Sequence, residues 1–286
     1  VAVVLEEVVQ EAVRRHKPSP LAGVALGRTL VAGGLLFGFL RPAVRINLQL
    51  LGGGPLGALM VDARGDGSLR AYVRNAGVGA PWEAGTRPSL GRAMGTTGLL
   101  NLLWDPHGDQ FFQGTCSFVT GEIDDEVRAY FSQSAQTPTA VGTEVGVDGQ
   151  RAAVWAAGIL VQALPDGTPD LALAADQRLL GGGLTALLAG RTPARPEDVV
   201  SAVLPGEVVR VVEEHPLAWR CGCSPDRVAG AIAMLGQEQV AEMLRDQGMA
   251  EVTCEFCRTR HVVGRDQLTA LLAELRDKPG PGTGVQ

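Results

Sequence analysis

The sequence predicts an α+β protein, with an N-terminal domain of antiparallel sheets and packed helices, a linker, and a small C-terminal domain. Three observations carry this. Residues 44–164 are dominated by strand-period stretches, helical periods flank them, and four of the five cysteines form two close pairs, Cys221-Gly222-Cys223 and Cys254-Glu255-Phe256-Cys257. Two pairs supply four thiolates, a complete tetrahedral set for one zinc ion with no open position for catalysis, so the C-terminal domain reads as zinc-binding.

Val4, Leu5, Val8, Val9, Ala12 and Val13 recur at helical spacing against Glu6, Glu7, Glu11, Arg14 and Arg15, which predicts an amphipathic helix closed by Pro18 and Pro20. A second, more apolar helix runs over residues 21–40 and stops before Pro42. Its length would suit a membrane span, but Arg28 and the glycines at 23, 27, 33, 34 and 38 favour a close-packed core helix. At Val44 the period changes to two: Val44, Ile46, Leu48 and Leu50 alternate with Arg45, Asn47 and Gln49, a strand with one buried face. Strands at 56–61 and 69–73 follow, joined by Arg64-Gly65-Asp66-Gly67, which is a hairpin tip rather than an adhesion motif.

A second strand group covers 99–104 and 110–119 around a turn at 105–109, and a helix covers 122–135 with acids at its positive end. Strands return at 139–147 and 152–164, and a helix at 170–189 closes this part. From Pro193 to Arg220 the texture loosens into a linker with a short helix at 197–203 and an apolar run at 208–212. It has little capacity for a core of its own and must lean on a neighbour.

After the first cysteine pair, Ser224-Pro225 is a cap followed by proline at the first helical position. Two short amphipathic helices parted near Gly236 follow and end at Gly248. Residues 251–261 read as a hairpin whose turn carries Cys254 and Cys257, residues 267–275 as a last helix, and the Gly- and Pro-rich tail at 278–286 as disordered.

A formal charge of -6 and a pI near 5.3 argue against a large nucleic-acid footprint. Arg258, Arg260 and Arg265 near the hairpin make only a modest patch, offset by Glu251, Glu255 and Asp266. Few, clustered cysteines favour a reducing compartment, with cytoplasm the default. The opening at Val1 without methionine reads as a truncated N-terminus, which leaves a targeting peptide open. Cys116, among Phe111, Phe112 and Phe118, reads as a buried small hydrophobe. His261 could replace a thiolate at the zinc, but four cysteines suffice and a surface or hairpin role is expected. His16, His107 and His215 read as solvated. No catalytic triad, phosphate loop or carboxylate pair stands out, so a non-enzyme is expected. A zinc staple without further role is the ordinary reading of such clips, yet a disulfide within Cys-X-Cys closes a strained, reducible ring, which favours a switch.

Taken together these residues resemble the bacterial heat-shock protein 33 family of redox-regulated holdase chaperones. The cysteine pairs and their spacing carry the resemblance, together with Ile46-Asn47-Leu48-Gln49-Leu50, Gly54-Pro55-Leu56, Phe112-Gln113-Gly114, Tyr130-Phe131-Ser132-Gln133-Ser134 with Thr137-Pro138-Thr139, and Gly158-Ile159-Leu160-Val161-Gln162. The chain departs from the family in having Cys116 outside the tail and in lacking the usual first residues. The resemblance implies an α+β substrate-binding and dimerisation domain at 1–167, a metastable helical linker at 168–220, and a zinc-binding redox switch at 221–286 with Cys221, Cys223, Cys254 and Cys257 as ligands. It also implies inactivity when reduced, activity when oxidised as a homodimer, unfolding client proteins as partners, and neither nucleic acid nor membrane. Oxidation is expected to pair Cys221 with Cys223 and Cys254 with Cys257, each partner being within reach, and to expose apolar surface at 208–212 and 217–219. The competing reading is a static zinc-ribbon module for RNA or a ribosomal partner.

Overall fold

A computed structural model describes residues 1–40, 44–80, 82, 86–108, 110–134, 136–163, 167–188 and 190–277. Pro42, Asp109, the expected element ends at Ala135, Leu164 and Ala189, and the tail at 278–286 lie outside the described residues. The chain divides into two compact units, Val1–Arg220 and Cys221–Gln286.

The first unit opens with strand β1 (Ala2–Leu5) and helix α1 (Glu7–His16), where the sequence reads one helix starting at Val4. Helix α2 (Pro20–Phe39) follows, with the Ser19 hydroxyl accepting from the Ala22 amide at 3.3 Å. Then come β2 (Arg45–Gly52), β3 (Ala58–Arg64), β4 (Ser68–Val73), a short α3 (Gly91–Met94), β5 (Gly98–Asp105), β6 (Phe112–Ser117), α4 (Ile123–Ser134), β7 (Thr139–Val147) and β8 (Ala153–Gln162). The rest of this unit holds α5 (Asp170–Leu180), α6 (Gly183–Leu188), α7 (Pro196–Val203) and the two-residue strand β9 (Ala218–Trp219).

Two sheets result, a six-stranded one ordered β6-β5-β2-β3-β4-β9 and a three-stranded one ordered β1-β8-β7. Strand β2 is central, with Leu48 opposite Val61 on β3 and Leu102 on β5, so the two strand groups seen in the sequence join into one sheet. Ala2–Leu5 becomes a strand because β8 offers it a ladder, Val4 facing Ala157. Four residues alone cannot separate a period of two from one of 3.6.

Helix α2 lies between the sheets, against β3 and β4 on one side and β7 and β8 on the other. That placement explains its all-round apolar character, since every residue from Leu21 to Phe37 is buried. Glycines set the approach distance on both sides. Gly33 faces Val61, and a Cβ on Gly27 would come within 2.8 Å of Val145 Cγ2.

Arg28 is fully buried on this helix. Its Nη1 donates to the Pro88 carbonyl at 3.0 Å and lies 3.5 Å from Glu122, and burial, reinforced by nearby Arg87, brings its pKa down to about 10. Glu122 in turn accepts from the amides of Leu90 and Gly91, which ties the start of α3 to α2.

The expected helix at 170–189 is two helices, because Gly182 and Gly183 adopt positive φ angles of 132° and 71° and break the run. Helices α5, α6 and α7 lean on the three-stranded sheet: Ala175, Leu179, Leu184, Leu188, Val199 and Val203 pack with Ala140, Ala157 and Ile159. The Thr185 hydroxyl of α6 donates to Glu144 of β7, whose carboxyl pKa is raised by burial. The run at 208–212 has no regular structure, and Val208 is 99 % and Val212 84 % exposed. The expectation that oxidation uncovers it is therefore corrected, since a run with no neighbour to pack on already faces solvent. Leu217 and Trp219 differ, being packed against the main core.

The second unit holds α8 (Pro225–Ala233), α9 (Gln237–Asp246), the hairpin β10 (Ala250–Thr253) and β11 (Arg260–Val263), and α10 (Arg265–Asp277). Its apolar cluster is small: Val228, Ile232, Val240, Ala250, Val263, Leu268 and Leu272.

Candidate metal centre

Local backbone chemistry positions both cysteine pairs. The first pair sits in the non-helical lead-in to α8, whose cap is the Ser224 hydroxyl accepting from the Arg227 amide at 3.3 Å. The Arg227 guanidinium reaches back to donate to the Gly222 carbonyl at 2.9 Å, which fixes the peptide between the two sulfurs. The second pair occupies the turn of the β10–β11 hairpin. There the Cys254 amide donates to the Thr259 carbonyl at 2.9 Å and the Arg258 amide to the Cys254 carbonyl at 2.8 Å. Arg258 takes a left-handed φ of 58°, which folds the turn tightly enough to bring both sulfurs to one side.

The four sulfurs converge, all within 4.8 Å of one another, with Cys221 Sγ 3.8 Å from Cys254 Sγ and Cys223 Sγ 3.3 Å from Cys257 Sγ. A tetrahedral zinc with Zn–S bonds of about 2.3 Å separates its sulfurs by roughly 3.8 Å, so the spacing fits, and an all-sulfur donor set suits a soft, four-coordinate ion. A thiolate set of this kind could hold zinc without an open position. Among the described residues these four cysteines form a group able to hold a metal.

Without a cation the cluster does not ionise uniformly. Burial pushes the Cys223 thiol up, and its sulfur neighbours Cys257 and Cys221 add to that. Cys254 is also raised, chiefly by burial. Burial acts the same way on Cys257, but hydrogen bonds from the Thr259 side chain and backbone, and then from Cys223 and Cys254, outweigh it and bring its pKa down to about 6. A cation would favour Cys223 and Cys254 as thiolates beside Cys257.

His261 lies within the hairpin, one of the two roles expected of it, and sits half-buried on β11 with Nε2 3.3 Å from Cys223 Sγ. Its position four residues after Cys257 hinted at this, but only the hairpin shows which sulfur it meets. His16 is likewise buried, edge-on to Trp219 at 6.2 Å, rather than solvated. His107 is exposed in its turn, and the exposed His215 lies 2.7 Å from Glu213. Cys116 is buried on β6 opposite Leu100, and burial raises its pKa. Of the arginines near the hairpin, Arg258 pairs with Glu255 at 2.9 Å and Arg260 with Glu251.

Comparison with known proteins shows the family. The family model described as Hsp33 protein matches residues 1–263. A protein named 33 kDa chaperonin from Gloeobacter violaceus is 38% identical, covering 97% of this chain and 92% of its own length. One of the same name from Halalkalibacterium halodurans is 32% identical, covering 94% and 92%. The crystal structure of the 33 kDa chaperonin (heat shock protein 33 homologue) of Thermotoga maritima superposes with a TM-score of 0.79 at 27% identity, covering 97% of this chain and 94% of that one. With its α+β fold, its cysteine cluster and a family match along nearly its whole length, the chain belongs to the Hsp33 family of chaperones.

Proposed function

We propose that the chain is a redox-regulated holdase, inactive when reduced with zinc on Cys221, Cys223, Cys254 and Cys257, and active once those thiolates have paired as disulfides. The convergence of four sulfurs on a unit with a very small apolar core carries this reading. Bound zinc would contribute roughly 10–16 kcal/mol to such a module, about as much as burying its few larger apolar side chains does before the cost of ordering the chain is met, so binding energy there is folding energy.

The switch follows from the sulfur chemistry. One thiolate of a pair attacks hydrogen peroxide, forming an S–O bond as the O–O bond breaks and hydroxide leaves. Its partner thiolate then attacks the sulfenic sulfur, forming S–S as S–O breaks and a second hydroxide leaves. Two thiolates have lost two electrons, peroxide has gained them, and two solvent protons turn the hydroxides into water. Pairing Cys254 with Cys257 and Cys221 with Cys223 removes the ligands, and the second unit unfolds.

Trp219 lies two positions before Cys221, and β9 is held to β4 by a ladder of only two residues. Unfolding beyond Cys221 frees that anchor, and the linker at 168–220 can then leave the three-stranded sheet, uncovering Ala140, Ala157 and Ile159 with the apolar faces of α5–α7. Unfolding client proteins bind the uncovered surface, and the active form is a homodimer working in the cytoplasm without enzymatic turnover.

The test treats reduced, zinc-loaded full chain with hydrogen peroxide at mild heat, follows metal release with a chromogenic chelator, and measures aggregation of a heat-denatured client by light scattering. Release and protection rise together under this reading. Equal protection by reduced and oxidised protein, or protection by neither, overturns it.

A further inference from the structure

Two polar side chains next to the cluster come from the β11 side of the turn. Thr259, just before β11, lies 3.3 Å from Cys257 Sγ, and His261 on β11 lies 3.3 Å from Cys223 Sγ. The atoms mutually within 4.8 Å comprise the four sulfurs and exclude the ring nitrogen, so His261 addresses Cys223 from outside the ligand set instead of completing it. Once a bound metal makes Cys223 a thiolate, the sulfur has no proton to give, so across this contact it accepts and Nε2 carries the hydrogen. The antiparallel pairing of His261 with Val252 anchors the residue that presents the ring.

We propose that His261 is a positioning residue that protects Cys223: its Nε2–H donates to the sulfur, draws on the lone pair that would attack an oxidant, and so sets the peroxide threshold at which the Cys221–Cys223 pair closes. A hydrogen bond from outside the ligand set tunes a metal-bound ligand in just this way, by adjusting its electron density without changing the ligand count. The redox step is the one given above, with Cys223 Sγ as first nucleophile, hydrogen peroxide as oxidant and Cys221 as resolving thiolate. The inference rests on the redox reading of the cluster, but the reactivity of one sulfur can be measured separately.

Reduced, zinc-loaded full chain is treated with iodoacetamide, and alkylation is followed residue by residue by tandem mass spectrometry, in wild type, His261→Phe and His261→Gln. Removing the donor should speed alkylation of Cys223 on the order of fivefold, the scale of one hydrogen bond, while Cys254 keeps its rate. His261→Gln, whose amide places an N–H near the same position, should restore most of the protection. Peroxide-driven zinc release should follow the same order, fastest in His261→Phe. Unchanged or slower alkylation of Cys223 in both variants overturns the proposal even if peroxide still releases zinc from wild type. So does a loss of zinc stoichiometry in both, which would make His261 a ligand. If wild type releases no zinc under peroxide, the redox reading fails, and the alkylation rates still decide whether His261 shields the sulfur.

Discussion

The two units of this chain reach a folded state by different means. In Val1–Arg220, α2 is buried on all sides between two sheets, and large side chains such as Leu26, Leu30 and Leu48 are fully shielded; each is worth about 1.5–3 kcal/mol. In Cys221–Gln286 the apolar cluster is confined to a few residues such as Val240 and Leu268, and four sulfurs meet within 4.8 Å of one another. A core of hydrocarbon is indifferent to oxidants. A core that relies on thiolates can be dismantled by them while the large sheet of its neighbour stays intact, and the proposed redox switch depends on that division of labour.

The comparison is broken most severely by removing the metal. A strong chelator under thiol reductant, or Cys257→Ser, should unfold residues 221–277, as loss of roughly 10–16 kcal/mol of binding energy requires. Amide hydrogen exchange should then be fast throughout that unit while β2, β3 and β5 keep their protection. Uniform loss of protection across both units would mean that they are not energetically separate.

A smaller effect is expected at the linker. Leu184 of α6 is fully buried in the cluster that joins the linker helices to the three-stranded sheet. Leu184→Ala should weaken that docking by about 2–5 kcal/mol and leave zinc content unchanged. The variant should therefore protect a client from aggregation at lower peroxide, or with none, as measured by light scattering. If its activation profile matches wild type, release of this sheet face is not the activating event.

The smallest effect concerns pH. Burial raises the Glu144 carboxyl above its ordinary 4.5, so its contribution to stability is fully present below that pH and is lost as pH rises through the raised value. Glu144→Gln removes the dependence while leaving an oxygen to accept from Thr185. In urea titrations the variant should gain on wild type between pH 4.5 and neutrality, and the gap should close in acid.

Much of this molecule is legible in its residues. The alternation at Ile46, Leu48 and Leu50, the turn at residues 64–67 and the cap at Ser224 are local signals that name their element without knowledge of the rest, and the structure places a strand, a hairpin and a helix there. The helix ending at Phe39 is also evident from its composition. Signals fail where partners are distant. Val4 and Leu5 look helical until β8 supplies a ladder, the strand at 98–105 gives no hint that it will lie beside β2, and Arg28 reads as a flaw in an apolar run rather than a buried charge bonded to Pro88 and near Glu122. His16 reads as solvated, and His261 stays between a surface and a hairpin role, because a lone histidine carries no sign of what packs on it.

By themselves, then, the residues determined the secondary-structure periods, the α+β class and which four cysteines could hold a metal together, because backbone preference and ligand chemistry are properties of short segments. Only the tertiary structure decided which sheet each strand joins, which face the linker helices cover, and that an imidazole stands against Cys223, because those depend on pairings between segments far apart in the chain, where no local preference reaches.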